Sequence, residues 1–320
     1  MGKNVLGIDI GGTKINGTIL DEKGTLLKEL KVPTGDTEDG SLVLSRIVYV
    51  IENLKKGFDV EALGFGVAGF IDNNTGIVKS SPNIKCFNDF NIVETFEKKF
   101  NVKTFVDNDA KSAAIYELFF GQGKDANDFV LVALGTGIGS AIVVNRHIVR
   151  GKNNMAGEIG HLTLDEHGRL CGCGKIGCFE TISSGPAIRQ SVIESIMAGR
   201  KTSLIELSNN DTNAIDVPLI TRAASLGDQL SLEILTNAAH YVGLVLSYLA
   251  NILNPEKIIL TGGLLNAFTP VNNVITEAFE KFTLPIPRQA VKIIYSSMNE
   301  NAVSIGAAIN ALKKLTGETI

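Results

Sequence analysis

Three of the four cysteines in this 320-residue chain lie close together, at Cys171, Cys173 and Cys178. His161 precedes this group, and glycines are interspersed between the cysteines. Thiolate and imidazole ligands at such spacing are typical of structural zinc sites with four protein ligands. A site of this kind has no open position for a catalytic water, so we expect these four residues to hold a structural zinc ion. The alternative is a group of reduced thiols without a metal, which is what we expect of the distant Cys86.

Three glycine turns each follow an apolar, strand-like run. They are Asp9-Ile-Gly-Gly-Thr13, Leu134-Gly-Thr-Gly-Ile-Gly139 and Leu260-Thr-Gly-Gly263. Glycine lets backbone N–H groups approach an anion closely, and threonine adds a hydroxyl donor. An aspartate at the strand end could hold Mg²⁺ through water. None of the turns has the P-loop pattern or the dinucleotide fingerprint. Together they predict a phosphate-binding surface, with ordinary tight turns as the alternative.

Acidic residues accompany both features. The segment Val106-Asp-Asn-Asp-Ala110 lies where a predicted strand ends and a predicted helix begins. Ligands of α/β folds bind outside strand ends, so a carboxylate here could accept the proton of a substrate hydroxyl. The alternative is a helix cap, for which all three polar residues of the segment are suitable. Glu158 and Glu180 flank the cysteines, and rigidly held carboxylates suit the hydroxyls of a sugar, with plain surface charge as the alternative.

The elements that position these residues alternate between strands and helices. Apolar runs predict strands at residues 5–10, 15–20, 26–32, 63–68, 104–106, 129–134, 141–144, 257–261 and 291–295. Helical periodicity predicts helices from the N-cap Ser41 to Leu54, at Asp109–Phe120, at Glu233–Leu253 with a buried face that includes Ile252, and at Ala302–Leu315. A strand, a glycine turn and a second strand occur at both 5–20 and 129–144, which indicates an internal duplication.

Composition limits the class of protein. The chain is 44% hydrophobic and 20% charged, which is typical of a globular protein with a sizeable core. Its length favours two domains. A formal net charge of −4 disfavours nucleic acid or an acidic membrane as the partner. There is no signal-peptide pattern and no apolar run of about 18 residues, so we expect a soluble, cytoplasmic protein.

The motifs together resemble those of the ROK family of repressors and sugar kinases, within the actin-like ATPase superfamily. The matching segments are Gly7-Ile-Asp-Ile-Gly-Gly-Thr-Lys14, Asn108-Asp-Ala110, Leu134-Gly-Thr-Gly-Ile-Gly139, Gly157-Glu-Ile-Gly-His161 and Cys171-Gly-Cys-Gly-Lys-Ile-Gly-Cys-Phe-Glu180. They occur in family order and span most of the chain, and the cysteine motif with its upstream histidine is the most specific of them.

The resemblance implies an α/β fold: a two-domain actin-like ATPase (ribonuclease H-like) fold with a cleft between the domains. We place a small N-terminal domain at residues 1–118, joined by the C-terminal helix at 302–320, and a large domain with the zinc-binding loop at 119–301. The implied activity is ATP-dependent phosphorylation of a hexose at O6, with glucose expected, as in glycolysis. A homodimer is also implied.

Several alternatives share these motifs. The same residues suit a kinase for N-acetylmannosamine, N-acetylglucosamine or fructose. A sugar sensor or regulator without catalysis is a further alternative. Regulators of the family carry a helix-turn-helix before the first glycine motif, which here begins at Gly7, so we expect no DNA-binding domain and no nucleic-acid partner.

The resemblance also implies roles for individual residues. Asp109 is the implied general base, and Asp9 the implied Mg²⁺ ligand. The implied sugar contacts are Gly69, Asn83, Asn108, Asp109, Glu158, His161 and Glu180. The implied contacts to ATP and its phosphates are Asp9, Gly11, Gly12, Thr13, Lys14, Thr136, Gly137, Gly262 and Gly263. The implied zinc ligands are His161, Cys171, Cys173 and Cys178. The implied cofactors are therefore ATP, Mg²⁺ and a structural Zn²⁺.

Overall fold

The structure is a computed structural model that describes residues 4–320. Its strands are β1 (Asn4–Ile10), β2 (Lys14–Leu20), β3 (Leu26–Pro33), β4 (Val60–Val67), β5 (Phe70–Asp72), β6 (Ile77–Ser80), β7 (Phe90–Asn91), β8 (Lys103–Asn108), β9 (Phe129–Leu134), β10 (Ile138–Val144), β11 (His147–Ile148), β12 (Lys257–Thr261) and β13 (Lys292–Tyr295). Its α-helices are α1 (Gly40–Lys55), α2 (Ile92–Phe100), α3 (Asp109–Phe119), α4 (Glu180–Ser183), α5 (Gly185–Met197), α6 (Leu204–Leu207), α7 (Val217–Ser225), α8 (Gln229–Leu253), α9 (Asn272–Phe282), α10 (Pro285–Ala290) and α11 (Ala302–Leu315). Short 3₁₀ turns occur at Lys85–Phe87, Ile159–His161, Thr212–Ala214 and Gly263–Val271. The predicted α/β class is confirmed.

The chain folds into two compact units. The first consists of the chain up to Asp128, Ala141–Gly157 and Met298–Ile320, and the second consists of Phe129–Ser140 and Glu158–Ser297. The boundary passes through β10, and α11 belongs to the first unit. The first unit also includes residues 119–128, 141–157 and 298–301, which the sequence predicts in the second domain.

The first unit is built on a five-stranded sheet with the order β3-β2-β1-β4-β8. The pairs β1–β2 and β2–β3 are antiparallel, whereas β1–β4 and β4–β8 are parallel. In this register Ile10 lies beside Val67, and Val67 beside Asn108. The carboxyl ends of three parallel strands therefore lie at one edge. A small antiparallel sheet, β5-β6-β7, completes the strands of this unit.

The second five-stranded sheet has the order β11-β10-β9-β12-β13. Strand β12 pairs in parallel with both β9 and β13. Numbered from its own first strand, this sheet has the same strand order as the first sheet. The repeat that the sequence indicated at two glycine turns thus extends to the whole strand order.

Glycines in the first sheet let α11 pack directly against the strand backbones. A Cβ at Gly7 would lie 1.8 Å from the carbonyl oxygen of Ser304, and one at Gly64 would lie 2.0 Å from that of Ala307. Real side chains cannot approach so closely, so only glycine permits this packing. Helix α11 therefore packs directly on β1 and β4, two of the three parallel strands whose carboxyl ends lie at one edge of the sheet.

Two predicted helix starts are wrong. Helix α1 is capped by Asp39 rather than Ser41, because the Asp39 carboxylate accepts hydrogen bonds from the amides of Ser41 (3.0 Å) and Leu42 (3.1 Å). Helix α8 begins at Gln229 rather than Glu233, because Asp228 accepts from the Ser231 amide at 2.8 Å.

Two further predicted details are wrong. Ile252, predicted on the buried face of α8, is 77% exposed because it lies in the last turn of that helix, past the buried Leu249. Strand β10 begins at Ile138 rather than Ala141, because the glycine turn closes by a 3.0 Å hydrogen bond from the Gly135 amide to the Gly137 carbonyl.

Within residues 4–320, no helix has both the length and the apolar character that crossing a bilayer requires.

Candidate functional site

The first unit gathers its predicted site residues at the carboxyl edge of its sheet. Asp9 lies in the last two residues of β1, and the turn at residues 11–13 follows that strand. Gly69 follows β4, and Asn108 ends β8. The register pairs Asp9 with Gly66 and Gly66 with Asp107 across the three parallel strands. Open α/β sheets bind their ligands outside this edge.

The turn between β1 and β2 is held by its own backbone and by one threonine. The Gly11 amide donates to the Lys14 carbonyl at 3.0 Å. Thr34 donates its amide to the Thr13 carbonyl (3.0 Å) and its hydroxyl to the Gly11 carbonyl (2.6 Å). The turn is thus fixed, and the side chain of Thr13 is exposed at its tip. A hydroxyl that donates a hydrogen bond to a phosphate must be accessible in this way.

Asn83 lies against this turn. A Cβ at Gly12 would lie 3.1 Å from the Asn83 carbonyl oxygen, so the two backbones are in contact. Asn83 itself is exposed. A predicted sugar contact and a predicted phosphate contact thus occur side by side in the same unit.

Asn108, and not Asp109, caps α3. The Asn108 side-chain oxygen accepts from the amides of Ala110 (2.9 Å) and Lys111 (3.3 Å), and its Nδ2 donates to the Gly69 carbonyl at 3.1 Å. Asp109 is the first residue of the helix, and one of its carboxylate oxygens accepts from the Ala110 amide at 2.8 Å. The competing interpretation of Asp109 as a helix cap therefore does not apply.

Gly69 is required by its backbone. Its φ is +135°, and a Cβ would lie 2.1 Å from the Ser80 carbonyl oxygen. Because its own carbonyl accepts from Asn108, Gly69 joins the end of β4 to the cap of α3. A packing requirement explains this glycine without any ligand.

Both aspartates at this edge have raised pKa values. Burial, followed by repulsion from Asp109 and opposed by Lys14, raises the pKa of Asp9 to about 7. Burial also raises the pKa of Asp109, which the Ala110 amide and the Lys111 ammonium partly oppose. Desolvation disfavours an ionised carboxylate, and a second carboxylate nearby adds to the effect. Raised values of this kind are frequent where a carboxylate takes part in chemistry.

In the second unit, two predicted glycine turns lie side by side. Strands β9 and β12 are parallel, with Thr261 beside Ala133. A Cβ at Gly262 would lie 2.1 Å from the Leu134 carbonyl oxygen, and the φ of Gly262 is +105°. Thr136 and Gly263 are exposed at these turns. The predicted phosphate contacts Thr136, Gly137, Gly262 and Gly263 therefore lie on two neighbouring turns.

Glu180, a predicted sugar contact, bonds to one of these turns. Its Oε2 accepts from the Ile138 amide at 2.8 Å, and a Cβ at Gly137 would lie only 2.7 Å from the same oxygen. The Cys171 thiol lies 4.0 Å from the other carboxylate oxygen. Glu180 thus links the turn after β9 to the cysteine cluster, a role the sequence analysis did not identify.

Glu158 and His161 lie at the two ends of a 3₁₀ turn that packs against β10. A Cβ at Gly160 would lie 2.4 Å from the Ile138 carbonyl oxygen, so only glycine lets the turn lie this close. The Ile159 amide donates to the Ser140 hydroxyl at 3.4 Å. Glu158 and His161 are both partly buried.

The four predicted metal ligands converge. One ligand atom from each of His161, Cys171, Cys173 and Cys178 lies within 4.8 Å of the others. The Cys171 Sγ is 3.6 Å from the His161 Nδ1, and the Cys173 Sγ is 3.6 Å from the Cys178 Sγ. Ligands around a tetrahedral zinc ion with Zn–S bonds of about 2.3 Å are separated by similar distances. The donor set and its geometry fit zinc.

The thiols are closely coupled. Burial, followed by hydrogen bonding and repulsion among the three thiols, raises the pKa of Cys178 to about 12. Three neighbouring thiols can ionise together only if a cation offsets their charge, and metal binding supplies that cation as the protons leave.

The backbone of this loop places its ligands for the metal. The Cys171 amide donates to the Lys175 carbonyl (2.7 Å), and the Gly174 amide donates to the Cys171 carbonyl (2.9 Å). At Gly177, φ is +72° and a Cβ would lie 1.5 Å from the Asp165 carbonyl oxygen. Gly177 is therefore a structural requirement of the loop, whereas a Cβ at Gly172 would meet no neighbouring atom.

A sequence profile of the ROK family matches residues 5–314. The chain belongs to the ROK family. It is 33% identical to a glucokinase of Halalkalibacterium halodurans, over 94% of this chain and 92% of that protein. Among solved structures, it is similar to a ROK family glucokinase from Streptomyces griseus in complex with glucose and AMPPNP, with a TM-score of 0.81, 30% identity, and coverage of 96% of this chain and 99% of the other.

Regulators also occur among the ROK relatives. The chain is 29% identical to the xylose repressor of Bacillus spizizenii, over 94% of this chain and 75% of that protein. The ROK membership predicted from five short motifs is therefore confirmed, and with it the fold class.

Proposed function

We propose that this chain is an ATP-dependent hexokinase that phosphorylates glucose at O6. Several of its ROK relatives of similar length are glucokinases. The observation that carries the assignment is the position of Asp109, a carboxylate with a raised pKa at the carboxyl edge of the first sheet, next to a helix cap that Asn108 supplies.

Asp109 acts as the general base in the proposed reaction. The hydroxyl oxygen of the sugar attacks the γ-phosphorus, and the hydroxyl proton passes to the Asp109 carboxylate. The bond from that phosphorus to the β–γ bridging oxygen breaks, and ADP leaves with the electron pair. A raised pKa suits this role, because it increases the affinity of the carboxylate for the proton.

The glycine turns bind ATP in this proposal. Thr13 and Thr136 offer hydroxyl donors, and the glycines allow backbone amides to approach the phosphates. Asp9 and Lys14 complete the first turn. Asp9 would hold Mg²⁺ through water, and the ion, when bound, neutralises charge on the β- and γ-phosphates. The remaining proposed contacts to ATP are Gly11, Gly12, Gly137, Gly262 and Gly263.

Six residues are proposed as sugar contacts besides Asp109. Gly69, Asn83 and Asn108 belong to the first unit, and Glu158, His161 and Glu180 to the second. Carboxylates held by fixed neighbours suit sugar hydroxyls, since each oxygen accepts one or two hydrogen bonds.

We further propose that His161, Cys171, Cys173 and Cys178 hold a structural Zn²⁺. The ion would fix the loop that precedes Glu180. We also propose that the enzyme is a cytoplasmic homodimer that acts in glycolysis.

A coupled assay of ADP release tests the proposal. Glucose, N-acetylglucosamine, N-acetylmannosamine, mannose and fructose are compared at saturating Mg-ATP, and glucose should give the highest kcat/KM. Asp109→Asn should lower kcat at least about 100-fold, the scale expected for loss of a general base. The exposed Asp59 provides the control Asp59→Asn, which should retain activity. Absence of turnover with every sugar would refute the kinase assignment.

The similarity to the xylose repressor supports a sugar sensor as the second candidate. Calorimetric titration with glucose and Mg-ATP distinguishes the two. A sensor binds the sugar without releasing ADP, whereas the proposed kinase does both.

A further inference from the structure

A buried polar cluster lies beneath Asp109, and the proposed reaction does not use it. Within residues 4–320, Asp107 and Lys111 are fully buried, and Asn154 is 6% exposed. Charged side chains are rarely buried so completely unless they have partners. All three belong to the first unit.

Asp107 is the anion of this cluster. Its carboxylate forms an ion pair with Arg150 and accepts from the side-chain amides of Asn73 (3.3 Å), Asn154 (3.3 Å) and Asn310 (3.4 Å). A buried carboxylate is retained at tolerable cost only when such donors replace its hydration. Removing any one of them leaves a buried acceptor with fewer bonds.

Lys111 connects the cluster to the helix of the general base. It lies two residues after Asp109 in α3, and its ammonium donates to the backbone carbonyl of Asn154 at 2.9 Å. Asn154 therefore contacts the end of β8 through Asp107 and the start of α3 through Lys111.

Asn154 is adapted to this place by both its backbone and its side chain. Its φ is +64°, a conformation that asparagine tolerates better than most residues. Its Nδ2 donates to Asn73 Oδ1 at 2.9 Å, and its Oδ1 accepts from Arg150 at 3.3 Å. A single side chain thus joins three segments of the first unit.

Three residues after Asn154, the chain leaves the first unit. Gly157 is the last residue of that segment, and Glu158 is the first of the following one. Both glycines of the loop, Gly151 and Gly157, also have positive φ. The contacts of Asn154 therefore fix the segment that leads to Glu158 to the strand end that carries Asp109.

We infer that Asn154 is a positioning residue for the phosphoryl transfer, which ties the segment leading to Glu158 to the β8–α3 junction. The inference rests on the proposed function. Without this tie, the segment that ends at Gly157 would no longer be held against the β8–α3 junction from which Asp109 projects. Displacement of a reacting group by about 1 Å can cost about 100-fold in rate.

The variant Asn154→Gly tests this inference, because glycine keeps the positive φ and removes only the side chain. We expect the KM for glucose to rise and kcat to fall, each by about 10-fold, with the KM for ATP unchanged within about twofold. Asn145 is the matched control, since it has a φ of +51° in the same unit and is exposed. Asn145→Gly should match the wild type.

A second variant covers the case in which Asn154→Gly does not fold. Asn73→Ala removes one partner of Asn154 from a partly exposed turn, and should change the same constants in the same direction by about threefold. Hydrogen exchange should also accelerate at residues 151–157 in either variant. Wild-type values of kcat and of the KM for glucose in a folded variant would overturn the inference. Failure of the wild type to phosphorylate any sugar would instead refute the proposed function.

Discussion

The raised pKa of Asp9 predicts that this residue destabilises the folded protein at alkaline pH. The carboxyl group has a pKa of 3.8 in the unfolded chain and about 7 in the folded protein. The folded state therefore binds a proton more tightly than the unfolded state. The free energy of unfolding falls as the pH rises from 3.8 to about 7. Above this range the penalty is complete, at most about 4 kcal/mol, since each pKa unit corresponds to about 1.4 kcal/mol.

The variant Asp9→Asn removes the ionisation and keeps the shape. Its stability relative to the wild type should increase by about 3 kcal/mol between about pH 5 and about pH 8.5, because most of the penalty arises in that range. Comparing two pH values cancels any pH-independent effect of the amide. The variant should be inactive as a kinase although it is more stable at pH 8.5, because it loses the carboxylate that we propose for Mg²⁺.

Urea unfolding followed by circular dichroism measures this difference. The buffer contains neither magnesium nor a chelator, so that zinc, if bound, stays in place. Asp39→Asn is the control. The hydrogen bonds from Leu42 and Ser41 lower the pKa of Asp39, so its carboxyl group is ionised in both the folded and the unfolded protein between about pH 5 and about pH 8.5. Its relative stability should not change with pH. If the relative stability of Asp9→Asn were equally flat, the argument from burial and repulsion would be wrong.

Three further predictions concern the turns and the metal. Gly69→Ala should destabilise the protein by about 3 kcal/mol in the same urea assay, because strain at positive φ adds to the clash with Ser80. The control Gly57→Ala should cost about 1 kcal/mol, because Gly57 has a φ of +86° but open space around it. Glu180→Ala should raise the KM for ATP as well as that for the sugar, which steady-state kinetics can separate, because the variant loses the acceptor for the Ile138 amide. The purified protein should contain about one equivalent of zinc by atomic absorption, and Cys178→Ser should lose it and lower the Tm in calorimetry by about 10 °C; a wild-type protein free of zinc would contradict the metal assignment.

The sequence predicted features that depend on local chemistry. Glycine between two apolar runs identified the β1–β2 hairpin, and close cysteines with an upstream histidine identified a cluster whose ligand atoms meet within 4.8 Å. Periodicity located the long helices. It did not locate the start of α1, because Asp39 and Ser41 are both good N-caps and only the structure shows which one accepts the amide hydrogen bonds.

Features that depend on long-range packing could not be predicted in this way. Nothing in the sequence near Asn154 indicates that its partners are Asp107 and Lys111, which precede it by 47 and 43 residues. One local signal was available: Lys111 stands among small residues at the start of α3, a place where a buried lysine needs a specific acceptor. The pairing itself follows from the sheet order and not from the local pattern.

The position of Glu180 suggests a proposed role for the cysteine cluster beyond stabilising a loop. Cys178 precedes Glu180 by two residues, and the Glu180 carboxylate accepts from the Ile138 amide next to the proposed phosphate turn. A metal that fixes Cys178 therefore limits the positions open to Glu180, and through it those of the turn at Thr136. Because a carboxylate held by a fixed neighbour loses little entropy when a ligand binds, the proposed metal would contribute to ligand affinity without touching the ligand. On this argument zinc loss should weaken ATP binding before it unfolds the second unit, and graded removal of the metal with a chelator would separate the two effects.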